Sequence, residues 1–155
     1  MSARQSAGIL LYRKENGLEV LLGHMGGPFW ARRDAGAWSL PKGEYGPDEE
    51  PEAAARREFA EELGLPAPDG ELIELGTVRQ SGGKVVTAWA LAAEFDPEQI
   101  LPGTFEMEWP KGSGRIQQFP EIDRAAWFDL ARAREKIVAS QQPFLDRLAE
   151  QTLQS

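Results

Sequence analysis

One stretch, residues 43–65, reads GEYGPDEEPEAAARREFAEELGL and constrains this chain more than any other. Its second half predicts a helix over residues 51–63. Pro51 suits the first helical position, where its missing N–H is not needed. Ala53, Ala54 and Ala55 are strong helix formers, and Gly64 followed by Pro66 supplies the stop. Ala55, Phe59 and Leu63 recur every four residues as an apolar stripe that must pack against a core. At about 100° per residue, Glu58, Glu61 and Glu62 share one arc of roughly 100° beside that stripe. Carboxylates so placed repel one another, by about a few tenths of a kcal/mol for an i,i+4 pair. They also lie in the C-terminal half of the helix, where the macrodipole favours cations. A cation among the oxygens removes both objections, and three carboxylates on a rigid helix suit hard ions such as Mg²⁺ or Mn²⁺. Taken alone, EFAEE is more often a solvated acidic face. The residues ahead of it shift the balance: Glu49 can reach Arg57, and Gly43 allows close backbone approach and offers a carbonyl.

The helix needs a sheet to pack on, and the flanking sequence supplies strands. Residues 7–12 form a short apolar run typical of a buried strand, and residues 18–22 form a second. Glu15-Asn16-Gly17 between them reads as a hairpin turn, because Asn-Gly accepts positive φ. Residues 23–37 hold four glycines and a proline and read as a loop. Residues 38–40 suggest a short strand leading into Pro41-Lys42-Gly43. Beyond the helix, residues 72–78 and 84–95 are strand-like; in the latter Val85, Thr87, Trp89 and Leu91 alternate with smaller residues. Residues 96–120 are rich in Gly and Pro and carry no clear periodicity; loops of that length are often functional. Residues 125–128 read as a last strand, and helices near 130–140 and 143–152 close the chain. The result is an α/β (α+β) fold forming one domain over residues 1–155.

Composition narrows the chemistry. The absence of cysteine excludes disulfides, thiolate metal sites and a cysteine nucleophile. A single histidine, His24, excludes a multi-histidine cage. A net charge of −8 argues against a broad nucleic-acid-binding surface, so no extended nucleic acid is expected as a partner. No apolar run approaches the roughly 20 residues of a membrane span. The first residues, MSARQSA, are too short and polar to lead into a secretion signal, so the expected setting is the cytoplasm.

The spacing G-x5-E-x7-R-E-U-x-E-E-x-G-U, with U apolar, is carried here by Gly43, Glu49, Arg57, Glu58, Phe59, Glu61, Glu62, Gly64 and Leu65. In this the chain resembles the Nudix hydrolase superfamily, of the MutT-like NTP pyrophosphohydrolase kind. The resemblance implies an α/β/α sandwich with a mixed central sheet. It implies Glu58 and Glu62 as direct metal ligands, Glu61 as a further ligand or a base acting through water, and the Gly43 carbonyl as part of the shell. It implies a Glu49–Arg57 pair holding loop and helix in register, and Mg²⁺ or Mn²⁺ as cofactor. The reaction implied is water attack on phosphorus in a diphosphate linkage of a nucleoside or dinucleoside polyphosphate. One position departs from the common pattern: Glu50 stands where a small hydroxyl residue usually caps the helix.

Around the motif, Lys42, Arg32 and Arg33 are candidate phosphate contacts, each set against the inert solvated cation. Trp30 or Trp38 is a candidate for base stacking, with burial in the core as the alternative. His24 is either a proton shuttle or, as lone histidines usually are, structural. Relatives often recruit one more carboxylate from beyond the motif; Glu121 leads Glu106 and Glu108 for that place. Residues 112–115 form a lid or a plain surface turn. Gln80 and Ser81 occupy positions where ADP-ribose-directed members usually carry proline, and Gly82 and Gly83 stand where dinucleotide-directed members often carry tyrosine. The substrate therefore stays open, with an inositol pyrophosphate, approached through Lys42, Arg32, Arg33, Lys84, Lys111 and Arg115, or a non-catalytic nucleotide sensor as alternatives. Monomer and homodimer are both compatible with the sequence.

Overall fold

The Asn16-Gly17 turn folds the first two strands onto each other. The computed structural model describes residues 4–153; Met1 to Ala3, part of the segment read as too polar for a leader, lie outside it. Strands β1 (Gln5–Lys14) and β2 (Leu18–Met25) pair antiparallel from Lys14 opposite Leu18 to Tyr12 opposite Val20. Gly17 turns the corner at φ 92°. Past Tyr12 the two strands part, and a later segment fills the gap. Its first half, β3 (Trp38–Ser39), pairs with β2 at Gly23 and His24. Its second half, β4 (Lys42–Glu44), pairs with β1 at Ser6, Ala7 and Gly8. The sequence signalled β3 but not β4, which is three residues long and held by its partner strand rather than by its own propensity.

On the other edge of β1 runs β6 (Val85–Ala92), parallel to it from Gln5 opposite Val85 to Tyr12 opposite Ala92. Strand β5 (Ile73–Arg79) continues antiparallel beyond β6, and β9 (Ile122–Asp129) lies antiparallel on β2. The sheet is therefore mixed, as expected. Side chains alternate between its faces. Ile9, Leu11, Leu21, Trp89 and Leu91 point to one face, where they meet Ala55, Phe59 and Leu63 of α1 (Pro51–Leu63). Leu10, Val20, Leu22, Ala88 and Ala90 point to the other and meet Ala133 of α2 (Leu130–Lys136) and Phe144, Leu145 and Leu148 of α3 (Gln142–Leu153). Three layers result, α/β/α.

Helix α1 has the bounds its residues predict. Glu50 makes no side-chain cap, and Gly64, at φ 73°, donates its N–H to the Ala60 carbonyl 2.8 Å away. Helix α2 stops short of residue 140. Ile137 leaves it to bridge Trp38, Val138 N–H donates to Trp38 O at 2.8 Å, and one 3₁₀ turn (Ala139–Gln141) precedes α3. The β-branched pair Ile137-Val138 takes the extended conformation it favours. The unassigned stretch 96–120 contains a separate hairpin, β7 (Thr104–Glu108) and β8 (Ile116–Pro120). Its faces are half-buried at best, so its apolar alternation is weak. No helix among the described residues is long and apolar enough to cross a membrane.

The glycine-rich loop after β2 is tied down at Asp34. Its carboxylate accepts from Trp38 Nε1 at 3.0 Å and pairs with Lys136 of α2. The Lys136 hydrogen bond, reinforced by Trp38, holds the Asp34 carboxyl below its ordinary range. A depressed acid stabilises the fold above its unfolded value, near 4, and that contribution is lost as pH falls through the lower folded value. Asp34→Asn is therefore expected to melt below wild type at pH 7 in thermal denaturation. The difference should shrink as both proteins are taken below about pH 4.

Candidate functional site

Where β1 and β2 part, the end of the sheet opens into a cleft of about 1020 Å³. Lys42 and Gly43 of β4, Glu58, Glu61 and Glu62 of α1, and Glu121 just before β9 all line it. Helix α1 meets β4 here because Gly43 has no side chain. A Cβ on Gly43 would fall 1.8 Å from Glu58 Oε2, so the carboxylate lies where a methyl group would otherwise be. One residue earlier, the Lys42 backbone N–H donates to Glu62 Oε1 at 2.5 Å.

Arg57 ties the acidic face together. Its Nε and Nη2 donate to Glu49 Oε2 and Oε1 at 2.7 and 2.8 Å, a bidentate pair that clamps the loop to the helix. Its Nη1 donates to Glu58 Oε1 at 2.8 Å and Glu61 Oε1 at 3.1 Å. The hydrogen bond from Arg57 holds the Glu49 carboxyl below its ordinary range, and its acidic neighbours, Glu49 first, hold the guanidinium firmly charged. Burial pushes Glu58 up against the pull of Arg57, with Glu61 and Glu121 adding repulsion. Burial pushes Glu62 up to about 8, opposed by the Lys42 amide and reinforced by Glu121 and Glu58.

These carboxylates thus feel one another across the cleft, and their donors are all oxygen, the chemistry of a hard divalent cation. Among the described residues, no three acidic or histidine side chains already stand as a coordination cage. Glu58 and Glu61 turn to Arg57, and Glu62 to the Lys42 amide. The fit to a cation is therefore one of donor type and placement. Gathering the ligands takes rotation of flexible side chains on one helix face.

Glu121 reaches this group through a backbone relay. Gly103 N–H donates to Glu61 O at 3.2 Å, Glu121 N–H to Gly103 O at 2.8 Å, and Gly26 N–H to Glu121 O at 3.0 Å. Glu106 is exposed and off the cleft. Glu108 closes the turn at residues 110–114 by accepting from Gly112 and Gly114 N–H at 2.7 and 3.2 Å. Trp30 lines the cleft, whereas Trp38 is buried in the core against Phe128. His24 is fully buried, with Nδ1 2.9 Å from Asp123 and Nε2 2.6 Å from the Arg33 carbonyl, so it braces the loop. Arg32 and Arg33 stand outside the cleft.

The opposite wall was not legible in the sequence. Gln141 is fully buried, accepts from Leu40 N–H at 3.1 Å and donates to Ser39 Oγ at 3.0 Å. Gln80 donates to Ser140 Oγ at 3.1 Å. These contacts join the α2–α3 connection to β3 and to the end of β5, and no local pattern announces them.

A sequence profile described as the NUDIX domain matches residues 2–148. An RNA pyrophosphohydrolase of Pseudomonas putida is 44% identical over 55 residues, 35% of this chain and 35% of that protein. One from Hahella chejuensis is 43% identical over 67 residues, 43% of this chain and 40% of that protein. The matched segment thus spans well under half the length of these curated relatives. Among solved structures, a binary complex of a C. elegans Ap4A hydrolase superposes with a TM-score of 0.70 at 21% identity, covering 97% of this chain and 99% of that one. The NUDIX domain of Shewanella oneidensis NrtR, complexed with ADP ribose, gives 0.65 at 19%, covering 98% and 90%. At these identities the structural likeness is one of fold.

Gly43→Ala separates the site from the scaffold. The clash falls on the far end of a flexible side chain, so stability should stay within about 1 kcal/mol of wild type in denaturant unfolding. Mn²⁺ binding by calorimetry should weaken by about tenfold or more, because Glu58 is displaced.

Proposed function

Because the chain belongs to the Nudix family, we propose that it is a divalent-metal-dependent pyrophosphohydrolase cleaving a diphosphate linkage in a nucleotide or dinucleotide polyphosphate. The observation that carries this reading is the meeting of Glu58, Glu61, Glu62 and Glu121 on one cleft, with the Gly43 backbone against Glu58. Glu58 and Glu62, with the Gly43 carbonyl and Glu61, would hold Mg²⁺ or Mn²⁺. Bound there, the ion would neutralise diphosphate charge and lower the pKa of the attacking water. It also accounts for an acidic protein binding a polyanion, since the local sign of charge is reversed.

The chain's own residues divide the remaining work. Arg57, clamped by Glu49, fixes the helix against the loop and keeps Glu58 and Glu61 oriented. Lys42 places a cation on the cleft wall for a phosphate oxygen. Glu61 or Glu121 accepts the proton of the attacking water; both face the cleft. Charge in the cleft supports a nucleotide over an inositol pyrophosphate. Of the six basic residues considered for that denser anion, only Lys42 and Lys84 line the cavity. We assign the activity to the cytoplasm, in a monomer or homodimer.

A hydrolysis screen tests the proposal directly. It sets nucleoside triphosphates, dinucleoside polyphosphates, ADP-ribose, NADH and inositol pyrophosphates against Mg²⁺ and Mn²⁺, with products separated by ion exchange. Turnover of a nucleotide class, abolished by chelation, is the expected result. Glu62→Gln should lower turnover by about 10³-fold or more while circular dichroism stays native. Near-normal turnover in that variant removes Glu62 from the chemistry. Saturable nucleotide binding without turnover by wild type would make the protein a sensor.

A further inference from the structure

The strand that brings Glu121 to the cleft is out of step with its neighbour. The β2–β9 ladder is regular from Glu19 opposite Asp129 to His24 opposite Arg124, but Met25 then faces Ile122. Asp123 is the extra residue, a bulge of one in β9. The slip decides what stands at the cleft. In an unbroken ladder Met25 would face Asp123, and Gly26 would face Ile122. Instead Gly26 meets Glu121, donating its N–H to the Glu121 carbonyl at 3.0 Å. The side chains turn over with the backbone. Ala125 and Trp127 pack toward α1, Ala126 and Phe128 toward α2 and α3, yet Ile122, three residues before Ala125, lies on the same side as Ala125. Two glycines make room for this register. A Cβ on Gly23 would fall 2.6 Å from Ile122 Cδ1, and one on Gly26 would fall 1.9 Å from the Pro120 carbonyl oxygen.

The chain's one histidine holds the extra residue. His24 is fully buried, and its Nδ1 lies 2.9 and 3.1 Å from the two Asp123 carboxylate oxygens. Its Nε2 is 2.6 Å from the Arg33 carbonyl, and its ring meets Trp38 edge-on with centroids 5.2 Å apart, which leaves the imidazole one orientation. The anchor thus sits at the very step where the ladder slips. We infer that His24 and Asp123 are positioning residues for Glu121: their contact fixes the extra residue of β9 and so selects Glu121, rather than Ile122, for the place opposite Gly26 on the cleft wall. This rests on the pyrophosphohydrolase reading of the cleft, with Glu121 as the group that takes the proton of the attacking water. His24 therefore acts through the strand and not as a proton shuttle.

Replacing a buried histidine would threaten the fold, so the test acts on Asp123, whose side chain is partly exposed. Steady-state kinetics with Mg²⁺ and ATP, diadenosine tetraphosphate or ADP-ribose compare wild type, Asp123→Ala, Asp123→Asn, Glu121→Gln and the double variant Asp123→Ala with Glu121→Gln. On the substrate cleaved fastest, Asp123→Ala should lower kcat by about tenfold or more and leave KM within about twofold. Asp123→Asn keeps an oxygen for Nδ1 and should restore most of the loss. In the Glu121→Gln background, Asp123→Ala should cost nothing further, because the two changes act on one group. Equal losses in both backgrounds, an unchanged kcat, or an effect confined to KM overturns the inference. If wild type cleaves none of the three substrates, the reading of the cleft fails. Amide hydrogen exchange at Gly26, whose N–H donates to the Glu121 carbonyl, then decides the positioning by itself. Faster exchange in Asp123→Ala than in Asp123→Asn supports it, and equal protection overturns it.

Discussion

Arg57 makes this arrangement of charge tenable. Three carboxylates, those of Glu49, Glu58 and Glu61, converge on its guanidinium at 2.7 to 3.1 Å. Without it, the acidic face of α1 would confront the loop that leads into the helix with like charge on both sides. With it, the two ends of the motif are locked in register, and Glu58 is held where Gly43 leaves room. A lysine would lack the planar fork that engages Glu49 through two donors while a third reaches Glu58 and Glu61.

That clamp matters because the sheet around it is split. The parting of β1 and β2 exposes backbone groups on both strands, and residues 37–44 satisfy them on either side. Met25 N–H donates to Ala37 O and Ile9 N–H to Pro41 O, at 3.0 and 3.1 Å. The same insertion delivers Lys42 and Gly43 to the helix. The opening that gives the protein its cleft and the element that carries half of its site are therefore one structural solution. Gln141, buried behind Leu40, braces it from the far side.

Legibility in the sequence followed the range of the interactions. Helix α1 matched its expected bounds because Pro51, the alanines, the four-residue stripe and Gly64 act within a few residues of one another. The Glu49–Arg57 contact spans eight residues and was within reach of the family pattern. Strand β4 carries no local signal because pairing with β1, rather than local propensity, defines it. Helix α2 ends short of the span its sequence predicts because Trp38, about a hundred residues upstream, claims Ile137 and Val138. The Gln80–Ser140 and Gln141–Ser39 contacts cross 60 and 102 residues, and no single-sequence periodicity reports such distances. Trp38 was ambiguous for a simpler reason: an indole beside a strand serves equally as core or as a stacking surface, and only its burial decides.

The parallel register of β1 on β6 carries a kinetic implication. Gln5 finds Val85, and β2 finds β9 about a hundred residues further along the chain. Pairings so distant must close large loops before any contact rewards them, which places the protein among slow-folding topologies. The cleft draws on both ends of that process, from Ser6 to Gln141. During synthesis, a nascent chain can complete the acidic helix early, yet it has no finished pocket until the residues around Val138–Gln141 have emerged from the ribosome and docked. The carboxylates of the helix are thus made well before the wall that faces them.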